Sequence, residues 1–211
     1  MLFIGRISLK YLAAFAGIAI LIMAIFVIIL QNSENQGRLG TWKKRIENFT
    51  SNDSEGNYQV EQSKIAIANG GIIGRLPGNS TQKNFLPHPY SDFIFAIIVE
   101  EYGLIGGMIV VFLYLILLYR GIRIVTRCPG TFSAFLTFGA SFSLVFQALL
   151  NMAVAVNLVP VTGQTLPLIS MGGTSIWFTS LAIGIILSVS KVTEKEEEEE
   201  DKEKEEYVYA T

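Results

Sequence analysis

A chain of 211 residues that is 51% hydrophobic and 16% charged, with a mean hydropathy of +0.45, is too apolar for an ordinary soluble domain and reads as a membrane protein. One cysteine and one histidine exclude a disulfide framework and a zinc site built on Cys and His, each of which needs several such ligands. Residues 191–211 hold ten acids and four lysines, so the body is basic and the tail acidic; the body's Lys and Arg flank apolar runs, which argues for membrane orientation and against nucleic acid.

Tyr11 to Leu30 is a run of twenty uncharged residues, long enough at about 1.5 Å per residue to span a hydrocarbon core of about 30 Å. A secretory signal would share the positive start of Arg6 and Lys10. The apolar run is too long for one, however, and no small-residue cleavage pattern follows it. Further spans are expected at 93–119, 132–156 and 173–189, the last reaching full length when Gly172 to Ser175 join its first turn. The expected fold class is all-α: a polytopic membrane helical bundle of about four transmembrane helices, with a large extracytoplasmic loop at 31–92 and a re-entrant outer loop before the last span. The membrane domain takes residues 1–190. Residues 191–211 have no apolar face to bury and read as an acidic, disordered cytoplasmic tail. Arg6, Lys10, Arg120, Arg123, Arg127 and Lys191 fall on one side, which the positive-inside rule makes cytoplasmic, together with both termini.

Within the outer loop, Asn32 to Tyr58 is polar, and Asn48, Asn52 and Asn79 open glycosylation-type patterns short enough to arise by chance. Ser63 to Gly74 suggests a helical turn or two, a glycine-rich reversal and a return to the membrane surface. Gly70, Gly71 and Gly74 lack the spacing and the preceding strand of a phosphate cradle, which favours tight backbone packing. Asp92 then stands at the start of the second span. It can cap that helix, or act as a general base at the outer membrane face. A capped carboxylate is the weaker base, so the two roles compete.

Glu100 and Glu101 follow about 12 to 13.5 Å further along a regular helix, a depth at which an acid must face protein, a polar cavity or a partner. Glu100 is turned about 80° from Asp92, so the two do not share one pocket. It is expected to face the same polar interior as the loop Thr165 to Ser175. Gly103 and Gly107 form a G-x-x-x-G spacing suited to close approach of another helix. Gln147 and Asn151, four apart on one helix face, read as packing amides within the bundle. The loop Val159 to Ser175 is partly apolar and turn-rich. It can re-enter at membrane depth only where its backbone lines a cavity or is buried in protein.

Leu86-Pro87, Ser91-Asp92-Phe93-Ile94-Phe95-Ala96, Glu100-Glu101-x-Gly103, Pro160-Val-Thr-Gly163, Leu166-Pro-Leu-Ile-Ser170 and Gly172-Gly173-Thr-Ser175, in that order, resemble the SEDS family of shape, elongation, division and sporulation proteins. Within that family the pattern is most similar to the FtsW, cell-division branch. The resemblance implies a peptidoglycan glycosyltransferase that polymerises lipid II at the outer face of the bacterial cytoplasmic membrane. It implies as partners membrane lipid, a class B penicillin-binding transpeptidase and other division proteins. It makes Asp92 the catalytic residue. Ser80, Lys83, His88, Ser91, Glu100, Thr165, Gly172, Gly173 and Ser175 are the expected substrate-binding residues, and no metal ligands are assigned. His88 stands where the family usually has Glu, Tyr90 where it often has His, and Met171 where it commonly has an aromatic. Members are about twice this long, so the chain is expected to be a C-terminal fragment, inactive in isolation.

In the chemistry this implies, Asp92 deprotonates a sugar hydroxyl that attacks the anomeric carbon of a polyprenyl-pyrophosphate donor. One carboxylate suffices because the leaving group needs no protonation. Lys83, Arg75, His88 or a divalent cation would take the charge of the departing pyrophosphate. A lipid-linked precursor flippase or transporter, motivated by Glu100, Glu101 and the broken segment around Pro167, and a non-catalytic division scaffold are the alternatives.

Overall fold

The computed structural model describes residues 9–32, 58–87 and 89–210. The patterns at Asn48 and Asn52 and the residue His88 lie outside them. Five helices follow in order: α1 (Leu9–Asn32), α2 (Tyr58–Gly70), α3 (Ile94–Arg127), α4 (Thr131–Ala155) and α5 (Gly173–Ala210), with a single 3-10 turn at Gln82–Asn84. No strand occurs among the described residues. Helices α3, α4 and α5 each contain a stretch long and apolar enough to cross a membrane, and the chain is a polytopic membrane helical protein. Of the four expected spans, three reach that length among the described residues. The 24-residue α1 has Ala13–Phe26 as a shorter apolar stretch, and its described side chains are exposed on every face.

The span expected at 93–119 is not one straight helix. Gly103, at φ 72° and ψ −172°, breaks α3. A Cβ at Gly107 would lie 2.9 Å from the Val99 side chain and 3.5 Å from the Phe95 ring. In a straight helix residues 95 and 107 stand about 18 Å apart along the axis, so the chain must bend sharply at Gly103. The short segment Ile94 to Tyr102 folds onto the span that follows, and Phe95 and Val99 share one buried cluster with Val110 and Tyr114. The G-x-x-x-G pair therefore serves a bend inside one element, where a meeting with another helix was expected.

Helix α2 and its glycine-rich exit fill the break. An unbroken helix would direct the Leu104 N–H to the Glu100 carbonyl. Here Leu104 donates to the Gly71 carbonyl at 2.9 Å, and the Glu100 carbonyl accepts from the Arg75 N–H at 3.0 Å. The exchange leaves neither backbone group orphaned. Side chains at Gly70, Gly74 or Gly103 would collide with facing backbone, which is the packing role that the glycine cluster suggested. The helix before this reversal is longer than a turn or two, at 13 residues. Instead of resting on the membrane surface it packs into the bundle through Val60, Ser63 and Ala66. Ser63 Oγ donates to the Ala155 carbonyl at 2.7 Å, satisfying one of the groups a helix C-terminus leaves open.

Beyond the bend, α3 runs to Arg127 and turns into α4 through Cys128-Pro129-Gly130. Cys128 is extended, at φ −71° and ψ 121°, as a residue preceding proline should be. A Cβ at Gly121 would collide with the Ser141 side chain, so α3 and α4 approach closely there. The expectation of a disordered tail is corrected: α5 continues as helix from Gly173 to Ala210. Glu and Lys are strong helix formers, Glu198 and Lys202 stand at a favourable four-residue spacing, and a span already formed removes the nucleation cost. The boundary at residue 190 marks a change of composition without a break in structure.

Candidate functional site

Asp92 precedes α3 but does not cap it. Phe93 occupies the cap position, with no side-chain cap bond, which corrects the capping role considered from sequence. The half-buried Asp92 side chain instead takes the Ser91 hydroxyl on Oδ1 at 2.7 Å. Its Oδ2 faces Gly163, where a Cβ would stand 3.8 Å away. Gly163 is held at φ 71°, a left-handed conformation that side chains disfavour, and Oδ2 makes no hydrogen bond among the described residues.

The loop between α4 and α5 forms the wall beside this carboxylate. Asn151 Nδ2 donates to the Asp92 carbonyl at 2.8 Å and to the Gln164 carbonyl at 2.7 Å. Gln147 Nε2 donates to the Thr165 carbonyl at 3.1 Å. Ser170 Oγ donates to the Ser91 carbonyl at 2.6 Å and accepts from the Leu166 N–H at 2.7 Å. Tyr114, in the span itself, donates its hydroxyl to the Pro167 carbonyl. Loop backbone groups are thus satisfied by side chains of α3 and α4 and by the loop's own Ser170, the condition for irregular chain inside a membrane bundle. Leu166 is fully buried, and Leu168 is held at φ 69°, a strained conformation for a branched residue that its surroundings must enforce.

A cleft of about 530 Å³ opens between this loop, α4 and α5. Gln147, Gly163, Gln164, Thr165, Gly172 and Ser175 are among its lining residues. Thr165 Oγ1 donates to Ser175 Oγ at 2.9 Å, and a Cβ at Gly172 would stand within 3.5 Å of both residues. Gly173, expected in the same group, opens α5 and does not line the cleft. Gly163 joins the cleft to Asp92.

Glu100 belongs to a second cluster. Fully buried, it takes the Thr81 N–H at 3.2 Å and the Thr81 hydroxyl at 2.9 Å on Oε1, and the Ser80 hydroxyl with the Gln82 N–H at 3.3 Å on Oε2. Arg75 stands 3.9 Å away. The expectation that Glu100 faces Thr165 to Ser175 is corrected: it faces residues 75–82, ahead of α3. Donors converging on a carboxylate satisfy a buried charge. Lys83 donates its ammonium to the Gly78 carbonyl at 2.7 Å and its N–H to Ser80 Oγ at 3.2 Å. Ser80, Lys83 and Glu100 are therefore brought together, but away from the cleft.

Asn151 was read from sequence as packing glue, whereas it ties the Asp92 backbone to the loop. Tyr114, a lone tyrosine in an apolar stretch, carries no sequence signal, and Ser170 enters the sequence reading only within the Leu166-Pro-Leu-Ile-Ser170 motif, without a role of its own. Among the described residues no three His, Cys, Asp or Glu side chains converge to hold a metal ion.

Over residues 1–195 the chain matches the family described as Cell cycle protein, that of FtsW, RodA and SpoVE. It is 43% identical over 135 residues to stage V sporulation protein E of Bacillus subtilis (strain 168), covering 64% of this chain and 37% of that protein. Against the probable peptidoglycan glycosyltransferase FtsW of Hahella chejuensis it is 36% identical over 193 residues, covering 88% of this chain and 48% of the relative. The chain spans less than half the length of these curated relatives. It also superposes on one chain of a solved structure described as "Structural coordination of polymerization and crosslinking by a peptidoglycan synthase complex". That superposition has a TM-score of 0.64 at 24% identity, over 88% of this chain and 51% of the other, and shows likeness of fold.

Proposed function

The chain belongs to the cell cycle protein family of FtsW, RodA and SpoVE, and from that membership we propose that it carries the catalytic carboxylate of a peptidoglycan glycosyltransferase. The enzyme polymerises lipid II during bacterial cell division, with both chain termini cytoplasmic and the Asp92 end of the bundle at the outer face of the cytoplasmic membrane. One observation carries the reading: Asp92 is oriented by Ser91 on one oxygen while the other faces Gly163, a residue that lines the cleft between α4 and α5.

Oδ2 accepts the proton of an acceptor sugar hydroxyl. As that oxygen attacks the donor's anomeric carbon, the new glycosidic bond forms and the bond to the polyprenyl pyrophosphate breaks. The bonding pair leaves on the phosphate. Ser91 fixes the carboxylate, and Asn151 fixes its backbone against the wall loop. Preorganisation of this kind spares the transition state a reorganisation cost. Lys83 and Arg75 are engaged in the Glu100 cluster, away from the cleft, and no step is routed through them or through a metal ion. The relatives' name and the synthase complex of the structural neighbour support a cross-linking penicillin-binding transpeptidase as partner.

The test is polymerisation of labelled lipid II by the complete purified protein. Asp92→Asn should lower the rate by about 100-fold or more, the scale of a lost general base. Polymerisation at near wild-type rate by a folded Asp92→Asn protein would overturn the proposal.

A further inference from the structure

The opposite end of the bundle holds a further polar site, apart from both Asp92 and the Glu100 cluster. The stretch Leu104 to Tyr119 of α3 carries no charge and then delivers Arg120, Arg123 and Arg127, spaced by three and four residues and therefore on one helix face. The charge-free run of α5 ends at Lys191, and the two helices leave their apolar stretches side by side. Between them lies a hollow of about 350 Å³, lined by the three arginines together with Ser190, Thr193, Glu194 and Glu197.

Charge within the hollow is only partly balanced. Arg127 meets Glu197 at 3.4 Å, each about half exposed. Arg120 and Arg123 are exposed and have no ion pair among the described residues. The Thr193 hydroxyl donates to the Val189 carbonyl at 3.0 Å, whereas the Ser190 hydroxyl has no hydrogen-bond partner among those residues. Glu194 opposes an anion here, so the site offers two unpaired guanidinium groups and one hydroxyl against one free carboxylate.

We propose that this hollow binds the phosphate of an anionic phospholipid headgroup. Guanidinium groups match phosphate oxygens in charge and geometry, and a basic pocket between membrane helices at the level where apolar stretches end is placed for headgroups. Exposed apolar side chains of both helices, Leu113 and Ile116 on α3 and Leu187 on α5, continue from the hollow as a path for acyl chains. Glu197 competes with the headgroup for Arg127, so lipid binding and release of the acidic end of α5 are linked.

The complete protein in nanodiscs tests this by retention of fluorescent phosphatidylglycerol against fluorescent phosphatidylcholine, with inorganic phosphate as soluble competitor. Phosphatidylglycerol should be retained preferentially, and the double substitution Arg120→Gln with Arg123→Gln should weaken retention by about tenfold or more. Glu197→Gln, which removes the competing anion, should strengthen it. Unchanged retention in both variants would overturn the proposal. Displacement by millimolar inorganic phosphate would overturn it as well, by assigning the hollow to a soluble anion.

Discussion

At the scale of single residues, Asp92, just ahead of α3, and Glu100, within it, differ in how their oxygens are satisfied. Asp92 has one directed hydrogen bond and a second oxygen without one; Glu100 has donors on both oxygens and no exposure. Glu100→Gln sets an amide N–H₂ against hydrogen-bond donors, and leaving buried donors unmatched costs about 1–3 kcal/mol. The variant should unfold at a lower temperature in detergent, and its lipid II polymerisation should fall only as far as its folded fraction does. Asp92→Asn should leave the melting temperature unchanged while abolishing polymerisation. A Glu100→Gln protein of normal thermal stability and lost activity would move Glu100 into the catalytic machinery. Both acids drew notice in the sequence because charge in an apolar run is conspicuous. Their partners were not legible, because Ser80 to Gln82 and Gly163 become neighbours only when loops fold back.

At the scale of elements, the bend at Gly103 is the decisive feature. A 27-residue apolar run such as 93–119 gives the same hydropathy whether straight or folded on itself, since hydropathy records composition along the chain and not direction. Gly103→Ala puts a side chain in a positive-φ extended conformation open essentially only to glycine, at a cost of about 1–3 kcal/mol, and drives a methyl group into the backbone of Ile72 and Gly74. The variant should reach the membrane in much lower amount, measured by immunoblot of membrane fractions; wild-type abundance and melting temperature would contradict the bend. Tyr114→Phe removes the one side chain of the α3 span that holds the Pro167 carbonyl. It should cost about 1–3 kcal/mol, the scale of an unsatisfied buried acceptor, read as a lowered melting temperature. The α5 extension is the opposite case. Deleting residues 194–211 removes a half-exposed ion pair to Arg127, worth about 0–1 kcal/mol, so melting temperature and polymerisation should both stay close to wild type.

At the scale of the whole molecule, orientation follows from where the cations stand. Single cysteines in a Cys128→Ser background should react with an impermeant reagent added outside at Glu55→Cys, and should not react at Val125→Cys or Glu205→Cys; the reverse pattern would place Asp92 on the cytoplasmic side. The sequence by itself determined the helical membrane class, the approximate places of α3, α4 and α5 and the glycine cluster's packing role. Those features depend on local composition, charge and short spacing, which chain order preserves. Only the tertiary structure decided the bend at Gly103, the exchange of backbone hydrogen bonds with Gly71 and Arg75, the separation of Glu100 from the cleft and the union of Asp92 with Asn151 and Gly163. Each of these joins residues distant in sequence, and their meeting is set by which buried polar groups find partners when the loops fold into the bundle.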